Sequence, residues 1–433
     1  MSLNRLQYAS IYIKYMGLIQ SGGGVVHFRQ TTPLMNLSYI SKTKNFKARA
    51  RPFLPVVYVF LILVMVSLNR GPLGLAKEEE HQIQKRETEL VAEILSTEVK
   101  DSSSIPDVVF FLILCQGTAG NNQGGKSAAD FSRQLRQTAV MFKSAVTQTK
   151  TTLRFIIIAD SEELYHRTTN LTYGWPEEYT NRLKFEYHPV WYPEDRQAMR
   201  SMFRVCATQR LFLPDMFPDL DAAIYIDTDL VFMRPPEDLW AEFNKFNKKQ
   251  SIAMAPCDYH YDSKRNKVPY YGKTGLNAGI MHMNLTRMKS FPWGGWTPAN
   301  MKVYDQYKKK IKLADQDILN ILFNKLPQHL YELGCEWNYR IWQCSQGRNL
   351  CNGAEERGVS ILHGNAMAFV NGTEMKIQVI FEAFEQFKLG TPLNTLLDTI
   401  DANLKKVSVF KSKCAKISNI DEIFTTELRK QVM

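Results

Sequence analysis

An uninterrupted apolar run, Val108 to Cys115 (VVFFLILC), is followed further on by Leu153 to Ala159 (LRFIIIA), apolar except for Arg154. Runs of strand length without polar alternation suit strands buried on both faces, the condition of parallel strands covered by helices. Between them, Ala129 to Val146 places Phe131, Leu135, Val140, Phe142 and Val146 broadly on one face, which predicts a crossover helix. Phe185 to Val190 and Ala223 to Ile226 predict a third and fourth strand. Strands alternating with helices in this way predict an α/β domain built on a mostly parallel, helix-covered central sheet. In such sheets ligands collect at the carboxyl ends of strands, where strand order reverses.

Charge separates this domain from what precedes it. Residues 1–70 carry Arg5, Lys14, Arg29, Lys42, Lys44, Lys47, Arg49, Arg51 and Arg70 and no acidic residue, so nine of the eleven net positive charges sit in a tail. The remainder is close to neutral and makes no case for nucleic acid. Phe53 to Leu68 (FLPVVYVFLILVMVSL) carries no charge and one polar side chain, Ser67. It is short against the roughly 20 residues that cross an average bilayer, but its basic flank suits a signal anchor better than a cleaved leader or a core helix. The expected organisation is a basic cytosolic tail (1–51), a signal-anchor transmembrane helix (52–69), a charge-dense luminal stem (70–105), a catalytic domain (106–400) and a C-terminal extension (401–433). That topology places the bulk of the chain in the lumen of the Golgi or endoplasmic reticulum as a single-pass type II protein.

Seven cysteines fit an oxidising compartment, and an odd count leaves at least one unpaired. Cys344 and Cys351 are close enough in sequence to bridge a short loop; Cys206, Cys257, Cys335 and Cys414 cannot be paired from sequence. Of four Asn-x-Ser/Thr sites, Asn36 would face the cytosol and Asn284 follows a strand-like run, leaving Asn170 and Asn371 as glycan candidates.

The sharpest chemical signal is Asp227-Thr228-Asp229 at the end of the apolar run that begins at Ala222. Carboxylates one residue apart face opposite sides of a regular strand, so both reach one cation only if the backbone turns there. A divalent cation so held would bridge the two phosphates of a nucleotide-sugar. Around this pair the sequence offers Arg210, whose fork can hold a carboxylate or phosphate, and the small-residue stretch Asn277-Ala278-Gly279, where backbone can approach a ligand closely. It adds Asp315-Gln316 at the start of a helical run, and His363-Gly364 after an apolar stretch. Imidazole added to carboxylates suits Mn²⁺.

This ordered set resembles the retaining glycosyltransferases of family 8, the glycogenin and lipopolysaccharide-galactosyltransferase type, over roughly Val108 to Phe384. Within that family Cys206 to Pro214 (CATQRLFLP), Pro269 to Gly275 (PYYGKTG) and Cys335 to Arg340 (CEWNYR) are most similar to segments of the glucoside xylosyltransferases. The resemblance implies a single GT-A-type catalytic domain in which Asp227, Asp229 and His363 hold Mn²⁺. It implies that Gln316, Asp315 and Arg210 serve catalysis, and that Leu114, Cys115, Gly117, Asp227, Asn277, Ala278, Gly279 and Gly364 bind the donor. It further implies transfer of xylose from UDP-xylose, with α-1,3 linkage, onto O-linked glucose on EGF-like repeats of Notch-like glycoproteins. A same-family enzyme using UDP-glucose or UDP-galactose, or a non-catalytic luminal carbohydrate-binding module, is the competing reading. Many members follow the histidine with a Lys-Pro-Trp whose lysine reaches the diphosphate. Here Thr373 falls near that position and Lys376 slightly beyond, so the diphosphate contact stays open.

Overall fold

The computed structural model describes residues 107–116, 128–202, 206–258, 261 and 268–433. The expected tail, anchor and stem, and Gly117, lie outside the described residues. Among the described residues no helix is long and apolar enough to cross a membrane.

The first apolar run forms β1 (Val108–Leu114), which pairs in parallel with β2 (Leu153–Ala159) on one side and β4 (Ala222–Ile226) on the other. β3 (Leu183–Pro189) extends the parallel set beside β2 and begins two residues earlier than the sequence suggests. Beyond β4 the sheet changes direction: β7 (Leu276–Asn284) runs antiparallel between β4 and β6 (Ile252–Pro256), and β8 (Leu330–Glu332) lies parallel to β6. The resulting order is β3-β2-β1-β4-β7-β6-β8. A small second sheet joins β5 (Leu230–Phe232), β10 (Ile361–His363) and β9 (Tyr339–Arg340).

Both faces of the main sheet are buried, as β1 requires. Phe110, Leu112 and Leu114 join a core on one face with Phe131 and Phe142 of α1 (Ala128–Gln148) and Leu164 of α2 (Glu162–Thr169). The same core takes in Phe381 and Phe384 of α5 (Met375–Gln386), Leu397 and Ile400 of α6 (Leu393–Lys406), and Phe424 and Leu428 of α7 (Ile420–Val432). The alternate residues Val109 and Phe111 face a second core with Val303 of α3 (Trp296–Tyr307) and Ile318 and Leu322 of α4 (Ala314–Lys325). Each such side chain contributes about 1.5–3 kcal/mol through the area it removes from water.

The cysteines pair as Cys115–Cys206, Cys335–Cys351 and Cys344–Cys414, with Cys257 free and buried. The expected Cys344–Cys351 bridge does not form, because the turn around Ile341–Gln343 sends Cys344 toward the C-terminal layer while Cys351 folds back on Cys335. Three disulfides are the mark of an oxidising compartment.

Chain order determines where a crevice opens. From β1 the chain moves outward through β2 to β3, then returns to place β4 on the opposite side of β1, so the carboxyl ends of β1 and β4 bound the point where strand order reverses.

Candidate active site

β4 ends at Ile226, and Asp227-Thr228-Asp229 turns the chain out of the main sheet into β5 of the small one. This is the backbone turn that two alternating carboxylates need if they are to share one ion. β10 pairs antiparallel with β5, setting His363 opposite Leu230, and the Gly364 N–H donates to the Asp229 carbonyl at 2.7 Å. His363 Nε2 therefore lies 3.3 Å from Asp229 Oδ1 and 3.7 Å from Asp227 Oδ2. One ligand atom from each of the three residues falls within 4.8 Å of the others. One imidazole nitrogen and two carboxylates converging at this spacing fit a divalent cation of the Mn²⁺ type. Cys335, Glu336 and Cys351 also cluster, but the disulfide between the two cysteines removes them as ligands.

On the other side of Asp227 stands Arg210, which belongs to a 3-10 turn, Ala207–Phe212, continued by a short α-turn, Leu213–Met216. Its Nη1 donates to the Ala278 carbonyl at 2.6 Å; its Nη2 lies 3.4 Å from Asp227 Oδ1 and its Nε 3.2 Å from Asp315 Oδ2. The guanidinium stacks 4.1 Å from the ring centroid of Tyr225, whose hydroxyl donates to Asp227 Oδ1 at 2.6 Å. Burial pushes the Asp315 carboxyl up to about 6 against the pull of Arg210.

β7 enters the site from the opposite direction. The Asp227 N–H donates to the Gly279 carbonyl at 2.8 Å, which brings Asn277, Ala278 and Gly279 alongside the aspartate turn. Gln316 Oε1 accepts from Asn277 Nδ2 at 3.0 Å and from the Ala278 N–H at 3.3 Å. Gln316 and Asp315 open α4 directly after Ala314, which holds a left-handed φ of 48°. That conformation is costly for alanine, and Asp317 sustains it by accepting the Lys312 and Leu313 N–H groups at 2.7 and 2.9 Å. Leu114 and Cys115 end β1 at the same edge, and the disulfide to Cys206 ties that strand end to the turn carrying Arg210.

Gly279 shows how closely the parts fit. A β-carbon there would overlap His363 Cε1 and lie 2.8 Å from its Nδ1. Gly279→Ala is expected to cost about 1–3 kcal/mol through overpacking and to displace the imidazole. Thermal unfolding with and without Mn²⁺ checks this: the metal-induced stabilisation should shrink more than the stability of the metal-free protein.

Lys376 is engaged away from the aspartate turn. Lys376 Nζ is buried against both Asp421 oxygens, at 2.6 and 2.8 Å, and the Leu404 carbonyl at 2.8 Å, where it joins α5, α6 and α7. Thr373 is exposed, as are Asn170 and Asn371, while Asn284 caps a helix by accepting the Arg287 N–H. Gly364 contributes its N–H to the aspartate turn, and the Phe369 ring fills the space its side chain would occupy. Tyr225 and Asn338 were not singled out from the sequence. Tyr225 could have been, since it sits two residues before Asp227 and so shares its face; nothing local marks Asn338.

A cation-holding corner, an apolar strand end and a cluster of side-chain amides meet at the switch point of this sheet. Residues 126–363 match glycosyl transferase family 8. The chain is 36% identical over 306 residues to glucoside xylosyltransferase 1 of Danio rerio, covering 67% of this chain and 74% of that protein. It is 36% identical over 267 residues to glucoside xylosyltransferase 2 of Mus musculus, covering 59% and 60%. The apo crystal structure of mouse xyloside xylosyltransferase 1 is similar at 18% identity and a TM-score of 0.45, over 61% of this chain and 100% of that one. The chain belongs to glycosyl transferase family 8 and is a homologue of glucoside xylosyltransferases 1 and 2.

Proposed function

We propose that this protein transfers xylose from UDP-xylose, with retention at the anomeric carbon and in α-1,3 linkage, onto O-linked glucose displayed on EGF-like repeats of secretory-pathway glycoproteins. The observation that carries the reading is the convergence of Asp227, Asp229 and His363 beside the Asn277–Gly279 segment in a homologue of glucoside xylosyltransferases. Bound Mn²⁺ would neutralise charge on the departing diphosphate. Asp227 and Asp229 would hold it with His363, Arg210 would fix the position of Asp227, and Asp315 would accept hydrogen bonds from sugar hydroxyls. Leu114 and Cys115 would meet the uridine, with Gly117 beyond them, and Gly364 would line the diphosphate side.

Gln316 stands against Asn277 and Ala278 with an amide oxygen that already accepts two hydrogen bonds. Such an oxygen is a poor nucleophile, which favours reaction on one face through an oxocarbenium-like state over a covalent double displacement. In that course the bond from C1 to the phosphate oxygen breaks and the acceptor hydroxyl bonds to C1 on the same face. The acceptor's proton passes to the departing diphosphate. Residues 1–51, 52–69 and 70–105 are assigned as cytosolic tail, signal anchor and stem, the rest facing the lumen, with Asn170 and Asn371 as glycan sites.

The test is UDP release by the purified full chain from UDP-xylose, UDP-glucose and UDP-galactose, with Mn²⁺ and with chelator. Chelator-sensitive turnover selective for UDP-xylose is the expected result. Selective use of a hexose donor would replace the donor assignment, and failure to bind any donor would leave a non-catalytic carbohydrate-binding module.

A further inference from the structure

His363 offers Nε2 toward the two aspartates, but which tautomer it holds is settled on its far side. Nδ1 lies 2.8 Å from Asn338 Oδ1, and Asn338 is wholly buried at the end of the turn Cys335–Asn338, directly before β9. β9 pairs with β10 and the Cys335–Cys351 disulfide anchors the turn, so Asn338 is held rigidly against the imidazole.

The orientation of each amide follows from a group that can only donate. The backbone N–H of Gly279 lies 3.1 Å from the Asn277 side chain, so the atom it meets is the oxygen, Oδ1. Asn338 approaches that same oxygen at 2.8 Å and must therefore present its Nδ2. Its own oxygen then faces His363, and an oxygen there can only accept, so the proton of the neutral ring sits on Nδ1. The Nε2 lone pair is left pointing at Asp227 and Asp229. Three electron-rich atoms then face one another at 3.3 and 3.7 Å from the nitrogen, an arrangement that a cation relieves. At the other end of the chain Asn277 Nδ2 donates to Gln316 Oε1, a contact oriented by the Ala278 N–H in the same way.

We infer that Asn338 is a positioning residue that fixes the metal-binding tautomer of His363 and, through Asn277, couples the cation site to the amide pocket around Gln316. This rests on the cation-site reading proposed above. Two backbone amides on β7 thus orient side chains on β10 and α4, which makes the cation site and the sugar pocket one hydrogen-bonded unit.

Two substitutions separate the two arms. Asn338→Ala removes both bonds. Asn338→Asp keeps an acceptor for Nδ1 but sets a carboxylate oxygen against Asn277 Oδ1, where a donor is needed. Mn²⁺ binding is read on the full chain with UDP from the paramagnetic resonance signal of free Mn²⁺, and donor KM from UDP release. Asn338→Ala should weaken Mn²⁺ binding about 10–100-fold, the usual cost of losing an outer partner of a metal-bound histidine. Asn338→Asp should hold Mn²⁺ within a few-fold of wild type while raising donor KM at least about tenfold. Loss of general packing would weaken Mn²⁺ binding and raise donor KM together in both variants, so a raised donor KM with metal binding kept in Asn338→Asp identifies positioning. A folded Asn338→Ala protein that binds Mn²⁺ as wild type does would overturn the inference, as would an Asn338→Asp protein that loses metal. If Asn338→Ala does not fold, Asn338→Asp decides alone. Wild type that binds no Mn²⁺ with UDP would remove the cation-site reading and this inference with it.

Discussion

Asp227→Asn should lower transfer by about a thousandfold, the several kcal/mol that a charge-neutralising cation gives to a departing diphosphate, while leaving the fold intact. The substitution keeps an oxygen to accept from the Tyr225 hydroxyl, 2.6 Å away, so the local packing has no reason to change. What it loses is one of two carboxylate charges facing His363 Nε2 and the charge that pairs with Arg210 Nη2 at 3.4 Å. Without metal the two carboxylates repel each other, and relief of that repulsion opposes loss of the Arg210 pair, so the variant should unfold close to wild type. With Mn²⁺ near 100 times its dissociation constant, wild type should gain about 2.7 kcal/mol and the variant almost none. Scanning both proteins with UDP, Mn²⁺ or chelator tests this directly. Transfer within tenfold of wild type would mean that Asp227 does not hold the cation.

The parts of this molecule that the sequence revealed are those where neighbours in sequence are also neighbours in function. Val108 to Cys115 announces a two-sided buried strand, and the strand spans Val108–Leu114. Asp227 and Asp229 announce a turn at a strand end, and the turn is there. His363 and Gln316 could be placed only by resemblance, since their approach to Asp227 and Asn277 crosses long stretches of chain and depends on β5 pairing with β10 and on α4 packing against β7. Cysteine pairing failed for the same reason: Cys344 and Cys351 are near in sequence, but backbone direction decides partners. Lys376 fell near the position where a diphosphate ligand was wanted, yet its buried ammonium answers a half-buried carboxylate on a helix near the C-terminus. A spacing rule carries no information about which way a helix faces once three helices have packed.

Arg210 is where stability and function are hardest to separate, and its removal should damage both. The guanidinium is nearly buried and serves Asp227, Asp315, the Ala278 carbonyl and the Tyr225 ring together. Arg210→Ala leaves the Asp315 carboxylate in a buried site without its cation, and breaking one partner out of such a pair costs about 3–5 kcal/mol. Burial already raises Asp315 to about 6 even with Arg210 beside it; without the arginine it should rise further. A carboxyl whose folded pKa lies above its unfolded one stabilises the fold in acid and ceases to do so as pH climbs through the folded value. The deficit of Arg210→Ala should therefore be smallest near pH 4 to 5 and grow above about pH 6, measured by denaturant unfolding in chelator. Adding Asp315→Asn removes the stranded charge, so the double variant should regain much of the lost stability at neutral pH. It should not regain transfer, because Asp227 and the Ala278 carbonyl have still lost the fork that fixes them. Arg210→Lys should fall between, restoring charge but not the planar, divided contact. If the double variant were no more stable than Arg210→Ala, the pairing with Asp315 would not be what makes Arg210 costly to remove, and the packing of its guanidinium on Tyr225 would have to account for the loss.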